Sequence, residues 1–417
     1  MITLSKYYDL KGTASINQLK QSYPIFAQEN SFYPPFFHFA TLPIFFIVAP
    51  SYNSAMFVNL FFYCILIISS YLIGKKLKNH KSGLMLSLLL SFTPVLNKLI
   101  ARYMIDFAII SLLSFAYLML LYSKKFSNTN YTLLFGLVSG IGMLTKWTFF
   151  FYLLVPIYFH LPKKFSFKII KNLILGLFLS LIIFVPWYIA NSDVVIPELL
   201  FATKSQGDPS VWTIPGLLFY FKIIIKDYNY LLVFFIASLF AKKKRQNYLL
   251  INIAVIYLFF TYLDNKDYRY IVPMYLFISI YAAANLDFIK KINLYYFLPL
   301  CLIFPMFMME SYGYYEFTPL IDAMDKDNFS VCVVAENNLV NDVNVPYYLM
   351  LNNKNVTRAI GNGCNPLQYD YVVVGRINPT WRSKLFLSSL AILEQNSDLF
   401  LLTYDDQETR LFVRVVT

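Results

Sequence analysis

The chain has 417 residues, of which 58% are hydrophobic and only 14% charged, with a formal charge of +12. A soluble protein of ordinary composition carries about a quarter of its residues as charges, so this chain cannot hide its apolar surface in a water-soluble fold and must use lipid as its solvent. The basic excess is not a nucleic-acid face, because Lys and Arg sit in short clusters between apolar runs, as topology signals do.

Residues 1–39 are polar and aromatic, with no stretch that could span a bilayer and no charged region leading into an apolar one as in a cleavable signal. Apolar runs then follow at 55–74, 82–98, 105–122, 131–145, 147–160, 170–190, 229–241, 247–263, 270–286 and 293–310. Several approach the ~20 residues a bilayer crossing needs. The pair over 131–160 is short for two crossings, which implies tilted or broken helices. From residue 312 the pattern changes. Strands are predicted at 330–334, 371–374, 399–403 and 410–416, and helices at 343–351 and 380–394. The predicted fold is therefore an α-helical polytopic membrane bundle of about ten spans, with a small C-terminal α/β extracytoplasmic domain. The membrane domain covers 1–311, with 1–54 as a first outer loop carrying juxtamembrane helices, and the second domain covers 312–417.

Basic clusters fix the orientation. Lys75-Lys76-Leu77-Lys78, Lys124-Lys125, Lys163-Lys164 with Lys168 and Lys171, Lys242-Lys243-Lys244-Arg245 and Lys290-Lys291 fall at every second loop. The positive-inside rule assigns those loops to the cytoplasm and both termini to the outside. On that map Asp9, Glu29, Asp106, Asp193, Glu198, Asp208, Asp227, Asp264, Asp267 and Glu310 all face outward, and only Asp287 faces the cytoplasm. Acidic residues contribute little to topology, so a reaction site on the outer face accounts for this bias. Exclusion from the anionic inner leaflet is the plainer alternative.

Several residues on that face carry chemistry. Pro34-Pro35, followed by Phe36-Phe37-His38, cannot lie inside a helix and marks a rigid break at the membrane surface. Asp106 stands at the outer mouth of the run 105–122, with Arg102 one helical turn earlier as the obvious ion-pair partner. Lys146 interrupts two apolar runs at the outer side, against the topology rule, so an anion must call for it: a lipid headgroup or a substrate phosphate. The loop 191–228 contains Lys204 and Asp208 beside Gly207 and Pro209, and the loop from Asp264 carries Lys266, Asp267 and Arg269. This set offers carboxylates for a base and cations for a phosphate. Three His and no C-x-x-C argue against a zinc site. Cys332 and Cys364 lie in the extracytoplasmic part, where a disulfide between them would be permitted.

Taken in order, Pro34-Pro35-Phe36-Phe37-His38, Arg102–Asp106, Leu144-Thr145-Lys146 and Asp267-Tyr268-Arg269-Tyr270…Pro273 resemble the motifs of C-type (GT-C fold) integral-membrane glycosyltransferases. The resemblance covers about residues 1–310 and is greatest for the branch of protein O-mannosyltransferases and lipid A aminoarabinose transferases. It implies a polyprenyl-phosphate-sugar donor, a glycan, lipid or protein acceptor, and reaction at the outer face of the cell membrane with inversion at the anomeric carbon. It further implies Asp9 as general base, Asp106 as a second catalytic acid, and Lys146 and Arg269 as cations facing the donor phosphate. Arg102, His38, Tyr33, Lys204, Asp208 and Lys266 complete the substrate-binding set. No tightly bound cofactor is expected, and a divalent ion, if one is used, would sit between Asp9 and Asp106. Family members begin with a span before the first outer loop, whereas this sequence starts at the loop, so either the start codon lies further upstream or the protein lacks that helix. The rival reading is a transporter or flippase of lipid-linked glycans, which would place its charges near the bilayer midplane.

Overall fold

The computed structural model describes residues 33–48, 52–202, 209–228, 230–241 and 246–286 of the helical part. In the C-terminal part it describes 323–324, 328–334, 355–360, 365–375, 391–405 and 409–414. One unit lies within residues 15–312 and a second within 313–417.

Helix α1 (Phe36–Phe45) starts directly after the Pro34-Pro35 pair. Helix α2 (Val58–Leu77) ends on Lys75 and Lys76, cations that suit the negative end of the helix dipole. Asn79 then caps α3 (His80–Ser91) by accepting from the Ser82 amide. The predicted run 82–98 is not one helix. It bends by 64° into α4 (Pro94–Ile100), because Pro94 has no amide proton and holds Thr93 in an extended conformation.

Helix α5 (Ile105–Tyr122) carries Asp106 in its first turn, where the helix dipole favours an anion. Helix α6 (Thr129–Met143) is capped by Asn128. After residue 143 the chain breaks, runs through a 3-10 segment (Phe149–Leu153) and resumes as α7 (Leu154–His160), the interruption expected over 131–160. Helix α8 (Phe167–Ala190) packs closely on α6, with Gly136 so near Gly176 that a Cβ on Gly136 would lie 2.2 Å from the Gly176 carbonyl oxygen. Then follow α9 (Ser192–Ala202), α10 (Phe219–Tyr228), α11 (Tyr230–Leu239), α12 (Tyr248–Tyr262) and α13 (Val272–Asn285).

Helices α5 and α13 form the centre of the unit: all of α13 is buried, with Tyr275, Tyr281 and Phe277 among its largest side chains. Helix α8 is the opposite case. Ile174, Leu177, Phe178 and Ile182 are exposed, an apolar stripe that only lipid can cover at low cost. Among the described residues, Ser54–Leu77, Ile105–Tyr122 and Phe167–Ala190 are long and apolar enough to cross a membrane, and the bent α3–α4 pair would make a fourth. Helix α1, the segment 149–160 and α12 are apolar but shorter. The run 293–310 lies outside the described residues.

The second unit contains a five-stranded sheet: β1 (Asn328–Val334), β2 (Asn355–Ile360), β3 (Tyr371–Gly375), β4 (Phe400–Asp405) and β5 (Thr409–Arg414). The order is β2-β1-β3-β5-β4, with β2, β1 and β3 parallel and β5 antiparallel to both neighbours. Four of these strands were predicted; β2 was not. Residues of both parities on β1 and β3, such as Val331 and Cys332 or Val372 and Val373, are buried. Burial on both faces is what parallel strands require and explains their unbroken apolar runs. Cys332 is disulfide-bonded; its suggested partner Cys364 lies outside the described residues. Of the helix predicted at 380–394, the described end is helical at 391–395, and the one at 343–351 lies outside.

Candidate functional site

Three separate breaks between helices converge on one carboxylate. Asp106 is buried at the start of α5. Lys146 sits in the break after α6, its amide bonded to the Gly142 carbonyl at 3.0 Å. From there its buried ammonium donates to Asp106 Oδ1 at 2.6 Å. On the other side Arg269 Nη1 lies 3.9 Å from Asp106 Oδ2. The partner of Asp106 is therefore Lys146 rather than Arg102: among the described residues no ion pair joins Arg102 to Asp106. A helix-turn spacing allowed that pairing, but the chain leaves the helix before residue 105, with Met104 extended.

Arg269 is held by its own turn. Asp267 Oδ1 accepts from the Arg269 amide at 2.9 Å, opening the 3-10 segment Tyr268–Ile271. Asp267 Oδ2 accepts from Arg269 Nε at 2.7 Å and from Nη2. Burial alone would raise the Asp267 carboxyl, but the hydrogen bonds and charge of Arg269 outweigh it and hold it below the ordinary carboxylate range. Arg269 correspondingly stays fully charged despite its burial, held by Asp267 and Asp106. The Lys146 ammonium also lies 5.4 Å from the centre of the Tyr270 ring, within cation–π range. Tyr152 donates to the Tyr270 carbonyl at 2.9 Å, and the Phe260 ring stacks on both tyrosines.

Helix α1 closes a further side. The Phe36 amide donates to the Leu144 carbonyl at 3.0 Å, tying the double-proline break to the end of α6, two residues from Lys146. His38 Nδ1 is 3.1 Å from the Tyr103 hydroxyl, which also contacts Thr41 Oγ1 at 2.9 Å. Exposed Tyr33 interacts electrostatically with Arg269 and Tyr270. Asn59 on α2 pins the loop before α5, donating to the carbonyls of Ile100 at 2.9 Å and Arg102 at 2.7 Å.

Tyr33, His38, Arg102, Asp106, Lys146 and Arg269 thus share one neighbourhood. Lys266 is placed differently. Its buried ammonium donates to the carbonyls of Thr261 at 2.7 Å and Leu263 at 2.6 Å, capping the end of α12 instead of facing outward. Asp9, Lys204 and Asp208 lie outside the described residues. Tyr103, Tyr152 and Asn59 carry no distinguishing signal in the sequence, because their roles arise only from tertiary contact. Asp267 was visible as an acid two residues before Arg269, a spacing typical of an Asx turn. Both Asp106 oxygens face cations, which is a poor fit to a divalent ion, and among the described residues no group of three or more His, Cys, Asp or Glu could hold a metal.

Residues 33–189, which contain all of this set except Arg269, match the family model described as dolichyl-phosphate-mannose-protein mannosyltransferase. No curated protein sequence matches the chain. The structure matches ArnT from Cupriavidus metallidurans bound to undecaprenyl phosphate, at 13% identity and TM-score 0.56, over 92% of this chain and 88% of that one. It matches apo ArnT from the same organism at 14% identity and TM-score 0.57, over 92% and 87%. This is the GT-C fold. Within the GT-C fold the helical part carries the charge cluster, and the small sheet belongs to the C-terminal part.

Proposed function

We propose that the chain transfers a sugar, hexosyl or pentosyl, from a polyprenyl-phosphate carrier to an acceptor hydroxyl at the extracytoplasmic face of the membrane. The observation that carries this reading is the convergence of Asp106, Lys146 and Arg269, with α1 tied to the break at Leu144. The family match over 33–189 and the shared fold with an undecaprenyl-phosphate-bound ArnT support it.

In the proposed reaction the acceptor oxygen bonds to the anomeric carbon from the face opposite the phosphate, with inversion. The carbon–oxygen bond to the phosphate breaks, and its electron pair leaves with the polyprenyl phosphate. A phosphate leaving group needs charge stabilisation more than protonation, so cations around its oxygens lower the barrier. The acceptor proton goes to a carboxylate, a contribution of about 10²–10⁴-fold. That base is Asp9 in this reading. The Asp106 carboxylate, already engaged by two cations, positions Lys146 and Arg269 rather than taking the proton. The chain crosses the membrane about ten times, with both termini and the C-terminal domain outside.

Mass spectrometry of envelope glycans from cells with and without the gene tests this function. A single acceptor should lose one sugar mass when the gene is removed and regain it with the wild-type gene, but not with Asp9→Asn. Identical glycans in both strains would refute the transferase reading.

A further inference from the structure

Helix α5 carries Asp106 in its first turn and ends at Tyr122. Its 18 residues span about 27 Å, close to the thickness of a bilayer core, so its far end stands at the membrane surface opposite the charge cluster. The turn that follows is unusual. Lys124, Lys125 and Phe126 hold left-handed φ angles of 50°, 60° and 63° in succession, a conformation that residues other than glycine adopt rarely and then singly. Buried groups hold it in place. Phe126 is buried with its ring edge-on to Phe135, its amide donates to Ser123 Oγ at 3.2 Å, and its carbonyl accepts from Asn172 on α8 at 2.9 Å.

The result is a fixed pair of adjacent, exposed lysines. Among the described residues neither Lys124 nor Lys125 makes an ion pair, and neither backbone amide makes a hydrogen bond. Two more cations flank the turn. Lys76, at the end of α2, lies 5.2 Å from the centre of the Tyr122 ring. Lys171 is exposed in the first turns of α8, one residue before the Asn172 that binds the turn. From Lys171 the same face of α8 continues at helical spacing through Ile174, Phe178 and Ile182, all exposed. Cations at the membrane surface, with an apolar track running from them into the bilayer, match a molecule that is anionic at one end and apolar along its length.

We propose that this end of the bundle binds an anionic diacyl glycerophospholipid, its phosphate held by Lys124, Lys125 and Lys171 and one acyl chain lying along Ile174, Phe178 and Ile182. The positive-inside rule puts these basic loops at the cytoplasmic leaflet, which is the anionic one. A basic loop attracts such a leaflet diffusely. The buried Phe126 and its bond from Asn172 do more, because they fix where the two lysines and their free amides stand. The site stands apart from the transferase reading, since it takes a lipid of the membrane itself at the surface opposite Asp106.

The test is native mass spectrometry of the full chain, released from detergent and titrated with phosphatidylglycerol, phosphatidylethanolamine or glycerol 3-phosphate. The wild type should retain phosphatidylglycerol in preference to the other two. Lys124→Gln and Lys125→Gln should each weaken that binding about 5-fold, and the double variant roughly 25-fold, the effect expected of lysines near an anionic membrane surface. All three should melt like the wild type, because both side chains are exposed. Adding Asn130→Lys, at an exposed position in the first turn of α6, to Lys125→Gln restores the net charge at this end of the bundle and should not restore binding. Should the turn variants not fold, Lys171→Gln supplies the same comparison. Wild-type affinity in these variants would overturn the proposal, and recovery by Asn130→Lys would do so by showing a diffuse attraction. Equal retention of phosphatidylethanolamine would remove the anionic headgroup from the recognition, and equal binding of glycerol 3-phosphate would remove the acyl chain; either result overturns the assignment.

Discussion

At the scale of single residues, the Asp106–Lys146 pair dominates the energetics. Both side chains are almost wholly buried, so removing one leaves an uncompensated charge, a loss of about 3–5 kcal/mol, whereas replacing both by neutral groups costs much less. Lys146→Met should therefore melt well below the wild type in detergent, and the double variant Asp106→Asn/Lys146→Met should recover much of the loss. Additive single and double effects would show that the pair is not coupled. Loss of activity in Lys146 variants accordingly reports the lost ion pair and folding first. The Asp267–Arg269 pair gives a pH signature. Because the Asp267 carboxyl is depressed in the folded protein, its contribution is complete above its ordinary value of 3.8 and is lost as pH falls below that, through the folded value. The stability gap between wild type and Asp267→Asn should be constant near neutrality and close on acidification. A gap that widens in acid would reverse the assignment. Lys146 was legible in the sequence because a cation interrupting an apolar stretch needs a reason. Its partner was not, since 40 residues and two helix ends separate them and only the packed bundle joins them.

Helix and strand boundaries show which local signals survive packing. The run 105–122 was read at its observed limits because polar Arg102 precedes it and the acid at 106 marks its start, where Met104 is extended in the fold. The run 82–98 was read as continuous because its apolar pattern carries across Pro94, although the proline bends it by 64°. Strand β2 was missed because Asn355–Ile360 interrupts its β-branched residues with Arg358 and so lacks the unbroken apolar run of β1 and β3. Close helix packing was equally invisible. A Cβ on Gly136 would meet the Gly176 carbonyl oxygen at 2.2 Å, whereas one on Gly176 would meet the Thr132 carbonyl oxygen at 3.1 Å. Gly136→Ala should thus force α6 and α8 apart and lower the melting temperature in detergent more than Gly176→Ala does. The reverse order would contradict this packing.

At the scale of the whole molecule, composition alone identified the solvent, and the exposed apolar stripe on α8 bears that out. The convergence of Asp106, Lys146 and Arg269 was anticipated only as a shared membrane face, because charge patterning along a chain gives sidedness but not distance. Lys266 shows the limit of that inference: it belongs to the outer set by sequence, yet its buried ammonium donates to two carbonyls at the end of α12.

Sidedness is also the claim on which the mechanism depends, since a donor phosphate, its cations and the acceptor must meet in one compartment. Cysteines introduced one at a time at Asp264 or Lys164, in a Cys64→Ser/Cys301→Ser background that keeps Cys332 and Cys364, can be labelled in intact cells with a membrane-impermeant maleimide and compared with that background. The account expects Asp264→Cys, three residues from Asp267, to label from outside and Lys164→Cys to label only after the membrane is opened. Labelling of Lys164→Cys from outside, with Asp264→Cys protected until lysis, would put the charge cluster on the cytoplasmic face and contradict the account.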